Sequence, residues 1–294
     1  MFGMTQFDPN TLEVSPLHLC SYLPDRASRL AYLPFNEPLM NDNGLFTHLS
    51  QLGFRRSGDV VYRPVCQHCQ QCIPCRVKVS DFKWSRRFRK VLNRNADVSI
   101  RMIDSEQAAA EHYALFERYI IERHADGDMY PPSLHSFKRF LVESPAQTKF
   151  MEIRQTHKTS NFKTKYRSND TVNSLTSGKL LATAVTDVLE DGLSSVYTFF
   201  ATNLDYRSRS LGVLGVLKQM QLVEILGLDY LYLGYWVPQN VKMTYKTQYL
   251  PIQLLINNKW VTFKTAPTFE EVTELLSQSS KESMLNIPQL VRFK

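Results

Sequence analysis

Four cysteines at every third position offer closely spaced sulfur ligands for a metal: Cys66, Cys69, Cys72 and Cys75. Thiolates this close in the chain can bind one metal centre. The spacing is more typical of an iron–sulfur site than of a zinc finger, whose ligand pairs are usually a dozen or more residues apart. Cys20 is a fifth potential ligand. The pattern therefore predicts an iron–sulfur cluster or zinc, with packed thiols or redox-sensing thiols as the alternatives.

Residues 83–94 form a second chemically distinctive segment, which is rich in cations and contains no acid. Cations can neutralise nucleic-acid phosphates, and Trp84 or Phe88 could stack on an unpaired base. The alternative is a solvated helix face with both aromatic side chains packed inward. The segment predicts a nucleic-acid contact through five cations: Lys83, Arg86, Arg87, Arg89 and Lys90.

Composition limits the class of protein that can present these groups. The chain has 294 residues, of which 43% are hydrophobic, and a formal net charge of +7. A folded protein with an anionic partner is expected, nucleic acid before a membrane surface. No apolar run is long enough to span a bilayer, and no signal peptide is recognisable, so we expect no membrane partner. Five cysteines, an odd number, are not typical of a secreted disulfide framework, which favours a cytoplasmic location.

Periodic hydrophobic patterns indicate the elements that must position these residues. Helical spacing predicts helices near 45–52, 104–124, 134–142 and 211–227, the last of which ends at Gly227. Runs rich in β-formers predict strands, and Glu190-Asp191-Gly192 is typical of a hairpin turn. The predicted strands cover residues 60–62, 73–79, 180–189, 194–200, 230–236 and 250–263.

Antiparallel hairpins followed by a helix and more strands predict an α+β fold. We expect an N-terminal region over 1–100 with the cysteines and the basic run, then a catalytic domain over 101–265, then a C-terminal tail over 266–294. Residues 156–178 are rich in Thr, Ser, Asn and Lys, which predicts a flexible insertion in the catalytic domain.

Several segments together resemble the bacterial branch of the arginyl-tRNA–protein transferases, the aspartate/glutamate leucyltransferases. They are CSYLPDR at Cys20, the cysteine cluster, SGKLLATAVTDVLEDGLSSVYTFF, RSLG, and LGLDYLYLGYW followed by KMTYK. The resemblance implies an acetyltransferase-like (GNAT-like) mixed sheet flanked by helices. It also implies transfer of leucine from leucyl-tRNA to proteins with an N-terminal Asp or Glu, which marks them for N-end-rule degradation.

The resemblance also implies roles for particular residues. Asp187 matches an important acidic position, and Lys246 matches a basic position near the reacting centre. Tyr197 and Phe199 belong to the strand that would line the donor pocket. Cys20, Cys66, Cys69 and Cys72 align with cysteine regions for which iron–sulfur or zinc binding has been proposed. The basic run would then contact tRNA.

An aminoacyl-tRNA ester is already activated, so its aminolysis requires no cofactor. The acceptor amine attacks the ester carbonyl, and the enzyme positions the reactants and stabilises the oxyanion. Asp187 could accept a proton, with Tyr197 and Lys246 as the other predicted catalytic residues; a capping aspartate and a surface lysine are the alternatives. Lys246 could pair with the tRNA end or with the acceptor carboxylate, for which Arg76, Lys78 and Lys242 are the other candidate cations. The predicted substrate-binding residues are Arg76, Lys78, Phe199, Lys242 and Tyr245.

Three other activities remain open from the sequence. Arginine could replace leucine as the donor. An N-acetyltransferase is disfavoured because Leu214 occupies a position where this fold commonly needs a small residue beside pyrophosphate. A metal-stabilised RNA-binding protein without catalysis would use the cysteines and the basic run but would leave the C-terminal motifs without a role.

Overall fold

The computed structural model describes residues 12–34, 42–144, 146–156 and 178–278. Almost all of the predicted insertion and the last part of the predicted tail lie outside these residues. Within them, no helix is both long and apolar enough to cross a bilayer.

The N-terminal part of the chain forms a small sheet and a hairpin. The strands are β1 (Glu13–Val14), β2 (His18–Leu19), β3 (Ala27–Ser28), β4 (Leu30–Pro34), β5 (Arg55–Ser57) and β6 (Val60–Pro64). β2 pairs with β3, while the sheet has the order β1, β4, β6, β5. Helix α1 (Asn43–Gln51) begins after Asp42, whose carboxylate accepts a 2.9 Å hydrogen bond from the Leu45 amide. Its apolar face buries Phe46 and Leu49 against this sheet in a separate small core.

A larger sheet forms the body of the described structure. Its strands are β7 (Ile73–Lys78), β8 (Val98–Asp104), β9 (Thr148–Gln155), β10 (Lys179–Val188), β11 (Gly192–Phe200), β12 (Tyr230–Trp236), β13 (Ile252–Ile256) and β14 (Lys259–Phe263). Their spatial order is β14, β13, β7, β12, β11, β10, β9, β8. β11 and β12 pair in parallel, whereas the other recorded pairs of this sheet are antiparallel.

Helices cover both faces of the large sheet. They are α2 (Arg86–Arg94), α3 (Ala110–Arg123), α4 (Leu134–Phe137) with a following π-helical turn (Lys138–Val142), α5 (Leu204–Arg207), α6 (Leu211–Ile225) and α7 (Phe269–Gln278). Phe116 of α3 packs 5.7 Å from the Phe199 ring, whereas Gly215 of α6 lies against Thr198. Neighbouring strand residues point to opposite faces, so α3 and α6 cover opposite sides. This mixed sheet between helices confirms the predicted α+β class.

Most predicted elements are confirmed, with shifted ends. The β10–β11 hairpin and α6 occur as expected, and Gly227 after α6 has a φ of +67°. The predicted helix over 104–124 is wrong at its start, because Asp104 ends strand β8, Ser105–Gln107 form a 3₁₀ turn, and α3 begins only at Ala110. The single strand over 250–263 is two strands turned by Asn257 and Asn258, both at positive φ. Helix α7 lies where the C-terminal tail was expected. Strand β7 joins the large sheet, although it belongs to the expected N-terminal region over 1–100.

Candidate active site

The parallel strands β11 and β12 separate soon after they pair. Their register contains Gly192 with Tyr230, Leu193 with Leu231, and Ser194 with Tyr232. Beyond Ser194, β11 continues to Phe200 along β10, while β12 runs along β7. Beyond Ser194 the two strands are therefore no longer hydrogen-bonded to each other. We call the region between them the splay, and it is the candidate substrate cleft.

Gly234 shapes one wall of the splay. A register shift between Tyr232 and Gly234 marks a bulge in β12, and Gly234 adopts a φ of +85°. A Cβ at this position would lie 3.3 Å from Nη2 of Arg55 and 3.5 Å from Nζ of Lys246. Glycine thus permits both the left-handed backbone and the close approach of two cations to the strand.

Lys246 is buried beside this glycine. It lies in a 3₁₀-helical segment (Val241–Gln248), and Nζ donates a 2.6 Å hydrogen bond to the Tyr235 carbonyl. Burial, reinforced by the Arg55 guanidinium and opposed by Cys75, lowers the pKa of Lys246 to about 8. An ammonium that loses its proton near neutral pH can act in proton transfer or bind an anion. Lys246, which the sequence predicted as a catalytic residue, therefore lies in the splay.

Aromatic side chains and one histidine continue the site from β11. The buried Tyr197 hydroxyl has no hydrogen-bond partner among the described residues, and burial raises the pKa of this phenol. Its ring lies 6.2 Å from that of Tyr119, whose hydroxyl is 3.3 Å from Nε2 of His124. Burial and the nearby Lys242 lower the pKa of His124.

Tyr245 and Lys242 lie on the same 3₁₀-helical segment as Lys246. Desolvation of the Tyr245 hydroxyl, with Cys75 close by, raises the pKa of this phenol, although 42% of the residue is exposed. Lys242 is exposed and forms a 2.7 Å ion pair with Asp126, just beyond α3. The structure thus brings Tyr197, Tyr245 and Lys246 together at the splay, with Lys242 near His124.

The prediction for Asp187 needs correction, because this residue is part of a sealed ion pair. Its carboxylate accepts bonds of 2.7 and 3.0 Å from Nε and Nη2 of Arg56 and one of 2.6 Å from Thr148. Both side chains of the ion pair have 0% exposure. Asp187 therefore joins β10 to β5 and has no access to a substrate.

Three predicted substrate-binding residues lie away from the splay. Arg76 is held by Gln253 and the Tyr232 hydroxyl, with its guanidinium carbon 3.6 Å from the Tyr230 ring centroid. Lys78 lies opposite Tyr230, at the start of β12, where β11 and β12 are still paired. Phe199 is fully buried among the phenylalanines of the core. Arg76 and Phe199 serve packing, and Lys78 pairs with Asp81 at 3.8 Å.

The cysteines divide into a group of four and a separate fifth. Burial, and then the nearby Cys20, Cys66 and Cys69, raises the pKa of Cys72 to about 12. Cys75 instead lies in β7, where its thiol donates to the Gly234 carbonyl at 3.3 Å, beside Lys246. The structure thus places Cys75 apart from the other four thiols, because β7 directs its side chain towards Gly234.

The group of four is assembled from two segments, and we call it the cysteine group. Cys20 lies between the paired strands β2 and β3, and the Cys66 thiol contacts Ser28 of β3 at 3.6 Å. Four thiols suit zinc or an iron–sulfur cluster. Their sulfurs are not all within 4.8 Å of one another. A different candidate metal group does satisfy that distance among the described residues: Glu111, His112 and Glu152. Two arginines, Arg101 and Arg154, already neutralise Glu152.

The basic run forms α2, and its cations line a groove. Ser85 caps the helix, Phe88 and Val91 face the core, and the five predicted tRNA-binding cations are exposed. Phe88 stacks on Tyr249 at 5.3 Å, so it cannot stack on a base. A groove of about 480 Å³ lies between α2 and the start of α6, lined by Arg86, Arg87, Lys90, Val91, Arg94 and Ser210.

Known proteins share this arrangement of sequence segments. A sequence model described as the C terminus of arginine-tRNA-protein transferase matches residues 111–256, and the model of the N terminus matches residues 18–90. An aspartate/glutamate leucyltransferase of Acinetobacter baumannii strain AYE is 42% identical over 263 residues, covering 89% of this chain and 88% of that protein. The chain belongs to the arginine-tRNA-protein transferase family.

Two further proteins resemble this chain to different degrees. The aspartate/glutamate leucyltransferase of Stutzerimonas stutzeri is 44% identical over 245 residues, 83% of this chain and 93% of that protein. Among solved structures, FemX matches with a TM-score of 0.41 and 11% identity, covering 74% of this chain and 67% of that chain.

Sequence reasoning missed two residues of the site in this family member. Arg55 is 9% exposed and reaches the splay from β5, where Nη2 is 3.4 Å from the Ser195 carbonyl. Tyr119 reaches it from α3. Arg55 stands in a short basic pair with Arg56, and no local pattern distinguishes the arginine that holds Asp187 from the one that enters the cleft.

Asp187→Asn separates a structural role from a catalytic one. The substitution leaves Arg56 buried without its counter-ion, so the free energy of unfolding should fall by about 3–5 kcal/mol. Transfer activity per folded molecule, measured at low temperature, should remain unchanged. Denaturant unfolding and activity assays check this, with the exposed Asp205→Asn as control. A loss of about 100-fold with unchanged stability would instead identify Asp187 as a general base.

Proposed function

We propose that this protein transfers leucine from leucyl-tRNA to the N-terminal α-amine of proteins that begin with Asp or Glu. The observation that carries the proposal is the 42–44% identity to aspartate/glutamate leucyltransferases over more than four-fifths of the chain. The product would expose an N-terminal leucine and enter N-end-rule degradation. The proposed location is the cytoplasm, where charged tRNA is available.

The two faces of the large sheet offer separate approaches for the two substrates. The groove beside α2 and α6 carries the cations that suit a tRNA backbone. The splay opens towards β5 on the side covered by the N-terminal sheet. The 3₁₀-helical segment links the two regions, since Gln248 accepts a bond from Arg87 while Lys246 enters the splay.

The proposed reaction needs no covalent intermediate on the enzyme. The acceptor nitrogen forms a bond to the leucyl carbonyl carbon, the ester bond breaks, and the tRNA 3′-oxygen receives a proton. An α-amine with a pKa of roughly 7.7–8.0 is partly neutral at cellular pH. Tyr197 and Lys246 are proposed to handle the proton and the developing charge near this amine.

Transfer of labelled amino acid tests the reaction directly. Leucyl-tRNA and arginyl-tRNA are each incubated with peptides that differ only in starting with Asp, Glu or Gly. Leucine should appear on the Asp and Glu peptides alone. Arginine on those peptides would keep the family activity and replace the donor, whereas binding of any RNA without transfer would favour a non-catalytic RNA-binding protein.

Neutralising α2 tests the proposed tRNA surface. Arg86→Gln with Lys90→Gln should weaken tRNA binding, and the slope of log K against log salt should fall by about two because two phosphate contacts are lost. Filter binding over a salt series measures both quantities. Lys259→Gln with Lys264→Gln makes the same change of charge near β14 and should leave the slope unaltered. Equal effects of the two pairs would argue against a tRNA site at α2.

The cysteine group is proposed to bind zinc or an iron–sulfur cluster that stabilises the N-terminal sheet. The donor set of Cys20, Cys66, Cys69 and Cys72 fits either group, since both are commonly held by four thiolates. Such a metal would tie the β2–β3 hairpin to the segment that leads into β7. The transfer reaction itself does not require it.

Metal analysis of anaerobically purified protein tests both the group and its membership. Cys72→Ser should remove most of the bound zinc or iron, because a ligand is lost. Cys75→Ser should retain it, because this thiol faces Gly234 instead. Elemental analysis and the visible absorption of iron–sulfur centres provide the readout. Loss of metal in both variants alike would restore Cys75 to the ligand set.

A further inference from the structure

Arg55 and Lys246 form a buried pair of like charges in the splay. They are 9% and 8% exposed, come from β5 and the 3₁₀-helical segment, and both approach Gly234. Nη2 of Arg55 has a long bond of 3.4 Å to the Ser195 carbonyl, and Nζ of Lys246 donates to the Tyr235 carbonyl. No ion pair joins either cation to a carboxylate among the described residues.

The other buried arginines of the described structure have counter-ions, except Arg76, which is held by Gln253, the Tyr232 hydroxyl and the Tyr230 ring. Arg56 pairs with Asp187, Arg154 with Glu152, and Arg209 with Asp97. Two adjacent buried cations without a carboxylate repel each other and lose hydration, which destabilises the protein unless an anion binds between them. The Arg55–Lys246 pair is therefore poised for an anionic ligand.

We infer that Arg55, together with Lys246, binds the side-chain carboxylate of the acceptor's N-terminal Asp or Glu. This inference rests on the proposed function and assigns the residues that select the acceptor. Arginine presents a planar fork that can donate two parallel hydrogen bonds to one carboxylate, and the ammonium adds a point charge. Asn, Gln and Gly lack the charge that would neutralise the pair.

The position of the pair favours a carboxylate over a tRNA phosphate. The cations most suited to tRNA line the groove between α2 and α6. Arg55 instead enters from the N-terminal sheet, which covers the same face as Tyr235, since the Tyr235 hydroxyl bonds to the Gly53 carbonyl at 2.8 Å. In an N-terminal Asp, two carbons separate the side-chain carboxyl from the α-amine, so binding the carboxylate here holds the amine inside the splay.

The neighbouring Arg56 fixes the direction of Arg55. Consecutive residues of β5 point to opposite sides of the strand, and the bidentate bond from Arg56 to Asp187 locks one of them. Arg55 is thereby directed towards Ser195 and Gly234. A specificity site built this way is rigid before the acceptor arrives.

The test measures acceptor selectivity in an Arg55→Gln variant. With saturating leucyl-tRNA, kcat/KM for an Asp peptide should fall by about 30-fold or more, because a buried charge pair is truncated. The weak transfer to the matching Asn peptide should fall far less than transfer to the Asp peptide, so the Asp-to-Asn ratio of kcat/KM collapses. The KM for leucyl-tRNA should also be unchanged. Arg55→Lys should restore part of the ratio by returning the charge without the fork.

A matched control removes a different arginine of the same small sheet. Arg63 of β6 donates to the Leu52 carbonyl, so Arg63→Gln makes the same change of charge and should keep the Asp-to-Asn ratio. An equal loss of kcat/KM on the Asp and Asn peptides in Arg55→Gln would overturn the assignment. A raised KM for leucyl-tRNA with unchanged acceptor selectivity would also overturn it and would indicate a phosphate site.

Failure of the proposed function gives a different result. In that case the unsubstituted protein transfers no leucine or arginine to the Asp peptide, whatever happens in the variants. Circular dichroism establishes folding of each variant. Should Arg55→Gln not fold, Arg55→Lys decides: a folded lysine variant with the full selectivity of the original protein contradicts a carboxylate bound by the arginine fork.

Discussion

The bidentate ion pair between Arg56 and Asp187 is the contact on which the site depends. It joins the small N-terminal sheet to the middle of the large sheet with both charges fully buried. A buried pair is stable only with good geometry and satisfied hydrogen bonds, and Thr148 supplies a further bond to the carboxylate. This contact fixes β5, and β5 brings Arg55 to the cleft. A fixed structural carboxylate thus determines where Arg55, the cation that we propose binds the acceptor, lies.

The separation of β11 from β12 is the second constraint. A parallel pair that stops pairing leaves backbone groups that must find other partners or face a ligand. The bulge at Gly234 and the 3₁₀-helical segment fill part of this space, with the Tyr235 carbonyl accepting from Lys246. Two cations from elements distant in sequence, Arg55 and Lys246, also approach this region.

Local patterns in the sequence predicted most of the fold, since β-rich runs and helical spacing depend on neighbouring residues. The same patterns could not show that β7 inserts between β12 and β13, because strand order is decided by long-range pairing. The site was only partly predictable. Sequence motifs drew attention to three residues that the structure places at the splay: Lys246, Tyr197 and Tyr245. Asp187 stands in the same kind of motif but forms a buried ion pair with Arg56. Arg55 and the displacement of Cys75 depend on which way a strand faces, and this required the structure.

The insertion of β7 also constrains synthesis of the protein on the ribosome. This strand, residues 73–78, pairs with residues 230–236 and 252–256, so the middle of the large sheet is closed by partners translated much later. Pairing between segments so distant in sequence is slow and leaves unpaired strand edges exposed until it is complete. The nascent N-terminal half therefore cannot form the cleft by itself, and a chain that ends before residue 256 lacks part of the sheet that supports it.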